Sequence, residues 1–183
     1  MTPNIKIANA AMAEARAIIA QGGLVAFPTE TVYGLGADAT NDAAVAAIFD
    51  TKKRPAFNPL IVHFANCEML APHVIMTDLA TSLADAFWPG PLTLVLKRAP
   101  DTPISKLVSA GLETMAVRVP KHPIAQSLIR ACNTPIAAPS ANRFGDISPT
   151  RAEHVAASLG DGKALILDGG QTDIGIESTV IDL

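Results

Sequence analysis

A chain of 183 residues, 49% hydrophobic but only 4% aromatic, can bury a substantial core but must build it from Ala, Val, Ile and Leu, which suits a sheet covered by alanine-rich helices. The formal net charge of −3 argues against a surface built to track a nucleic-acid backbone, where a basic face is expected, so any anion site has to be local. No apolar run approaches the ~20 residues of a membrane span, and Met1-Thr2-Pro3-Asn4 carries no basic segment leading into an apolar one, which predicts a cytoplasmic protein without a leader peptide.

In chain order, Asn9 is placed to cap a helix over residues 10–20, with Ala11, Met12, Ala15, Ile18 and Ile19 on one face at helical spacing. Gly22-Gly23 ends it. A short strand over 24–27 stops at Pro28. The next stretch, Pro28-Thr29-Glu30-Thr31-Val32-Tyr33-Gly34-Leu35-Gly36-Ala37-Asp38, is too polar for a core strand and too short of turn residues at its start for a plain loop. Gly34 to Ala39 fits G-x-G-x-x-A, but the dinucleotide fingerprint needs its first glycine directly after a strand and an acidic residue closing the second strand. Here residues 28–33 intervene and the second strand ends in Ala65-Asn66. The match is rejected, and the glycines read as places where backbone passes close to a neighbour or a ligand.

Thr40-Asn41 caps a helix over 42–51, a strand follows over 60–64, and Thr77 caps a helix over 78–87 that Pro89-Gly90-Pro91 breaks. After strands over 92–96 and 115–119, Pro123 opens a helix over 124–132, from the first helical position that proline favours. A strand over 135–138 runs into Pro139-Ser140-Ala141-Asn142. Thr150 and Glu153 make a capping box for a helix over 151–159 closed by Gly160, and strands over 164–167 and 179–183 complete the chain. Strands interspersed with helices predict an α/β layer fold with a mixed sheet. With no repeat or linker, residues 1–183 read as one domain.

Chemistry enters at Lys52-Lys53-Arg54-Pro55-Ala56-Phe57-Asn58-Pro59-Leu60. Three consecutive cations stand out in a chain with 17% charged residues. Two prolines stiffen what reads as an exposed turn at the mouth of a strand, a common ligand position in α/β sheets. Lys53 reads as an offset to the negative end of the preceding helix; for Lys52 and Arg54, with Asn58 following, an anion site is preferred. G-x-x-x-x-G-K-[ST], G-x-S-x-G, H-E-x-x-H and C-x-x-C are absent. Cys67 and Cys132 lack metal spacing and read as reduced, buried thiols, and the four histidines are too scattered for a metal site. Polar residues cluster at strand ends instead: Thr29 and Thr31, His63, Arg118, Ser140 and Asn142, and Glu177-Ser178-Thr179. An arginine between two valines belongs to a buried strand and needs an anionic partner. A ligand carboxylate, which the guanidinium fork matches, is preferred over a structural pair with an acid such as Asp168 or Asp182. His63 taken alone reads as a core residue.

Six ordered motifs carry a resemblance. They are Pro28-Thr29-Glu30-Thr31-Val32-Tyr33-Gly34-Leu35, Lys52-x-Arg54-Pro55-x-x-Asn58-Pro59-Leu60-Ile61-Val62-His63, Trp88-Pro89-Gly90-Pro91-Leu92-Thr93, Val117-Arg118-Val119-Pro120, Pro139-Ser140-Ala141-Asn142 with Ser148-Pro149-Thr150, and Glu177-Ser178-Thr179-Val180-Ile181-Asp182. From about Asn9 to the last residue the chain resembles the YrdC/TsaC family of threonylcarbamoyl-AMP synthases. The resemblance implies a YrdC/RibB-like twisted open mixed sheet with flanking helices around a positively charged concave cavity. It implies synthesis of L-threonylcarbamoyladenylate from L-threonine, bicarbonate and ATP, with release of pyrophosphate. The product would pass to a tRNA threonylcarbamoyltransferase complex that modifies adenosine 37 of tRNAs reading codons that begin with A; a weak contact with tRNA itself stays open. By position, threonine would be held by Thr31, His63, Arg118, the backbone at Ala138, and Ser178. ATP would meet Lys52, Arg54, Asn58, Thr114, Ser140, Asn142 and Ser148, with Lys52 and Arg54 as the catalytic cations and Mg²⁺ carried on the phosphates rather than in a protein cage. Two departures stand out: Lys53 replaces a usual glycine, and family members continue past the position of Leu183 into a segment with an arginine that reaches the nucleotide. A non-catalytic RNA-binding module of the same fold, and carbamoyl transfer from another donor, are the alternative readings.

Overall fold

The alanine-rich opening folds as a strand and a helix in direct succession. Strand β1 (Ile5–Ile7) runs into helix α1 (Ala8–Ala20) without a loop. Ile7 therefore occupies the cap position, without a side-chain bond, and the expected Asn9 cap is not formed because Asn9 already lies in the first turn. Ala8, Ala11, Ala15 and Ile19 are buried in one stripe, as the helical spacing predicts. The computed structural model describes residues 3–160 and 162–183; residues 1 and 2, on which the leader-peptide reading partly rests, lie outside them.

The stretch after Pro28 proves to be a hairpin. Strand β2 (Val25–Pro28) pairs antiparallel with β3 (Tyr33–Asp38), and β3 is a core strand despite its composition. A Cβ on Gly36 would lie 2.7 Å from Phe27 Cε1 and 2.9 Å from Ile136 Cγ2, so β3 supplies backbone where its neighbours supply side chains. The missing turn residues are replaced by one hydroxyl: Thr29 Oγ1 donates to the Val32 carbonyl at 2.7 Å and accepts from the Thr31 and Val32 amides at 3.2 Å.

The remaining elements are α2 (Asp42–Lys52), β4 (Ile61–His63), α3 (Cys67–Leu70), α4 (Asp78–Phe87), β5 (Leu92–Lys97), β6 (Thr114–Arg118), α5 (Pro123–Cys132), β7 (Ile136–Ala137), α6 (Ala152–Leu159), β8 (Leu165–Asp168) and β9 (Thr179–Asp182). Asn41 and Thr77 cap α2 and α4 through their side chains, and Pro123 opens α5, as expected. The capping box at Thr150 is not formed: Arg151 holds the cap position without a side-chain bond, and Thr150 instead lies 3.4 Å from His154 Nδ1. Cys67 is exposed, contrary to expectation, because it opens the short helix α3, which the sequence reading missed along with β1 and β3.

The nine strands of the described residues form one mixed sheet in the order β1-β8-β2-β3-β7-β4-β6-β5-β9. One face packs under α2, α4 and α6 through Ala26, Leu35, Val62, Leu94, Val117 and Ile166. On the other, α1 and α5 cover Val25, Phe27, Ile136, Leu165 and Leu167. That cover stops short of the β4-β6-β5 half, where the residues alternating with the core positions, Ile61, Val95, Thr114 and Ala116, are only half-buried. His63 and Arg118 are paired in register at the end of this half-covered face, where β4 and β6, parallel neighbours, finish together.

Candidate functional site

The pocket at this strand end is half open, with about 320 Å³ of empty space that includes open solvent. The hairpin turn contributes Thr29, Thr31 and Val32, the strand ends His63 and Arg118, and the segment after β7 Ala138 and Ser140. A strap from Gly169 to Ser178, linking β8 to β9, brings Glu177 and Ser178. The strap is pinned along its length. Tyr33 Oη donates to the Gly170 carbonyl at 2.7 Å, the Ile174 and Gly175 amides donate to the Glu30 and Thr31 carbonyls at 2.9 and 3.0 Å, and Ser178 Oγ meets Thr93 Oγ1 at 2.7 Å. Backbone and side-chain hydrogen bonds together thus convert three distant sequence motifs into one wall.

Arg118 is buried and paired within the protein: the structural pair, ranked behind a ligand carboxylate, is present, and its acid is neither Asp168 nor Asp182. Its Nη2 contacts Glu30 Oε1 at 2.5 Å, Nη1 donates to Thr31 Oγ1 at 3.0 Å, and Nε donates to the Gly90 carbonyl at 3.1 Å. Asp168 instead accepts from the Gly170 amide, while Asp182 is exposed on β9. Glu30 Oε2 accepts from the amides of Lys121 and His122 at 3.0 and 3.2 Å. Burial alone would raise the Glu30 carboxyl, but the charge and hydrogen bond of Arg118, with the Lys121 amide, hold it below the ordinary carboxylate value. The ligand and structural readings of Arg118 are therefore not exclusive: it lines the pocket and is also ion-paired. His63 is buried edge-on to Phe27, with ring centroids 6.3 Å apart. Burial, then the Arg118 charge, pushes its pKa down to about 3, so it is neutral at physiological pH, and its Nδ1 has no hydrogen-bond partner. The Ala138 amide is taken by the Ile61 carbonyl at 2.9 Å, which leaves the Ala138 carbonyl as the polar atom it can offer.

All five residues expected to hold threonine thus line one pocket. Of those expected at ATP, only Ser140 does; Lys52, Arg54, Asn142 and Ser148 gather beside it around the loop at 140–148. Lys52 overturns the expectation of an exposed cation on a turn. It is the last residue of α2, it is 1% exposed, and its Nζ donates to the carbonyls of Ser140 and Asn142. Burial, then the neighbouring Arg54 charge, lowers its pKa to about 8. Arg54 is half-buried, with Nε and Nη2 on the carbonyls of Asn58 and Pro59 at 3.1 and 2.8 Å, and Phe144 stands 6.0 Å from its guanidinium. Asn142 is buried; its Nδ2 reaches the carbonyls of Arg143 and Asp146 while its Oδ1 has no partner. Ser148 Oγ donates to Glu177 Oε1 at 2.6 Å. Thr114 stands apart at the far end of β6, on the same face as Arg118 and ~13 Å along the strand, within the span of an extended nucleotide. Lys53 adopts a left-handed conformation, φ 52°, which explains a glycine preference at that position.

Glu30 and Glu177 are residues to which sequence reasoning gave no role, although both stand in its motifs. A buried arginine required an acid somewhere, but only the fold selects Glu30 from the chain's 17 acidic residues. Comparison with known proteins agrees with this architecture. The Sua5/YciO/YrdC family model, described as telomere recombination, matches residues 17–183. The chain belongs to this family. Among its Sua5/YciO/YrdC relatives, the threonylcarbamoyl-AMP synthase of Bacillus subtilis is 52% identical over 176 residues, covering 93% of this chain and 49% of that protein. That of Pyrococcus abyssi is 53% identical over 172 residues, 92% of this chain and 49% of that protein. The structure of Pyrococcus abyssi Sua5 complexed with L-threonine superposes with a TM-score of 0.90 at 52% identity, over 94% of this chain and 50% of that one. The chain thus spans about half the length of these relatives.

Proposed function

We propose that this chain carries the site for joining L-threonine, bicarbonate and ATP into L-threonylcarbamoyladenylate, with release of pyrophosphate and water. The observation that carries the reading is the convergence of Thr31, His63, Arg118, Ala138 and Ser178 on one pocket, next to the Lys52–Arg54 cations. The threonine complex of a 52% identical relative supports it. In this reading Arg118 takes the amino-acid carboxylate, and the unpartnered Nδ1 of neutral His63, with Thr31, meets the hydroxyl. The amine attacks the bicarbonate carbon, or CO₂ derived from it, and the resulting carbamate attacks the α-phosphorus as pyrophosphate leaves. Two anions must meet in that step, so fixed positive charge is required to hold them in line. Arg54 offers that charge directly. Lys52 offers it while shaping the loop that bears Ser140, Asn142 and Ser148.

The donor set fits a divalent ion that arrives with the nucleotide. Among the described residues no group of three or more His, Cys, Asp or Glu side chains could cage a metal. In this reading Mg²⁺ would be carried on the nucleotide's phosphates, where it would supply charge neutralisation. No helix among the described residues is long and apolar enough to cross a membrane, and the reading places the protein in the cytoplasm, handing its product to a tRNA-modifying transferase. Incubation with ATP, ¹⁴C-bicarbonate and each amino acid in turn tests the proposal. A labelled adenylate formed with threonine is expected; label appearing with no amino acid, or with all alike, would refute it.

A further inference from the structure

We propose that Glu30 is a positioning residue for the amino-acid carboxylate: with the Gly90 carbonyl it forms a socket that presents one free N–H on each terminal nitrogen of Arg118. The inference rests on the amino-acid reading of the pocket. An arginine has five N–H donors. Three are engaged inside the protein, Nε on Gly90, one on Nη1 with Thr31 and one on Nη2 with Glu30. With Nε occupied, a planar carboxylate cannot use the side fork of the guanidinium. One N–H on each terminal nitrogen remains for it.

The socket is rigid because each of its parts is held from behind. Glu30 is fixed by the Lys121 and His122 amides, which lead into the positive end of α5. The Gly90 carbonyl is fixed by the bond from the Gly90 amide to the Val119 carbonyl at 2.9 Å. A side chain at position 90 would run into the Phe87 carbonyl. Glu30 and the Trp88-Pro89-Gly90-Pro91 motif, to which no chemistry was assigned, thereby acquire one: they set the plane and the roll of one guanidinium.

The test is calorimetric titration of threonine, threoninamide and ATP into the parent, Glu30→Gln and Glu30→Asp. A parent that fails to bind threonine overturns the amino-acid reading, and this inference with it. With the parent binding, Glu30→Gln turns an amide N–H₂ toward either the guanidinium or the two backbone donors, and Glu30→Asp falls short by a methylene. Threonine should weaken by about 10-fold or more in each and ATP by no more than about twofold, because Glu30 is hydrogen-bonded to Arg118, Lys121, His122 and Ile174 and to nothing in the loop at 140–148. The preference for threonine over threoninamide should shrink by the same factor, an effect that general loosening does not produce. In turnover the loss should fall on the threonine KM and spare kcat. Unchanged threonine affinity in a folded variant, or equal loss of threonine and ATP, overturns the proposal. Should neither variant fold, ¹⁵N spectra of the parent decide. Arg118 should show resolved Nη–H signals before ligand is added, and threonine should shift those signals but not Nε–H. A shift at Nε–H would refute the socket.

Discussion

Lys52 shows how one residue can serve structure and chemistry together. Because Nζ spans to two carbonyls of the opposite loop, Lys52→Ala should abolish pyrophosphate release and also lower stability by roughly 1.5–3 kcal/mol, the range for hydrogen bonds of a charged group. Arg54→Ala should abolish turnover at a cost of only about 0.5–1.5 kcal/mol, since its bonds stay within one short turn. Urea midpoints beside a pyrophosphate assay check both; equal stability losses would mean that Lys52 is no strut. The depressed Lys52 pKa sets two pH dependences of opposite sign. Above a pKa of about 8 the amine loses its charge, so ATP affinity should fall as pH rises through that value. Unfolded, the same lysine titrates near 10.5, so between about 8 and 10.5 the unfolded state binds more protons and the ligand-free protein should gain stability. ATP titrations and urea midpoints across this window should show both trends, and Lys52→Ala should lose them. Lys53 carries a local cost, because a left-handed backbone crowds its Cβ; Lys53→Gly should stabilise by roughly 1 kcal/mol, again read from the urea midpoint.

Among the elements, helix starts separate capping by side chain from capping by context. Asn41 accepts from the Ala43 and Ala44 amides at 3.0 and 3.2 Å, so Asn41→Ala should cost about 1 kcal/mol. Asn9 is exposed inside the first turn of α1 and makes no cap, so Asn9→Ala should leave the denaturation midpoint unmoved. A loss at position 9 matching that at 41 would show that α1 starts later than Ala8. The sequence signals are alike at the two positions; the difference is that the chain enters α1 from a paired strand and enters α2 from a turn. The same contrast explains Thr150. Its spacing to Glu153 is that of a capping box, but Thr150 is drawn toward the strap by the Thr172 amide, which donates to its carbonyl at 3.0 Å, and the helix begins one residue late.

For the whole molecule, the pocket ties together the hairpin turn, two strand ends, the segment after β7 and the strap, so ligand binding should stabilise the entire fold. Threonine at about 100 times its dissociation constant should add about 2.7 kcal/mol and raise the melting temperature accordingly. Serine, lacking a methyl worth only ~1–3 kcal/mol, should protect measurably at higher concentration. Valine should protect least, because losing the hydroxyl leaves the buried His63 Nδ1 without a partner. Equal protection by threonine and valine would contradict the pocket.

Local periodicity and turn chemistry were sufficient for most elements: the buried stripe of α1, the Thr77 cap and the proline at the start of α5 depend on neighbours three or four residues away. The family, and the residues gathered at the pocket, were legible because their motifs are short runs at strand ends. Only the tertiary structure decided the rest, for one physical reason: the partner lies far along the chain. Gly36 makes a strand because Phe27 and Ile136 fill the space above it. Lys52 is buried because the carbonyls that accept from it come 88 and 90 residues later. Glu30 finds Arg118 across 88 residues, a pairing that strand order and register create and that spacing along the sequence cannot encode.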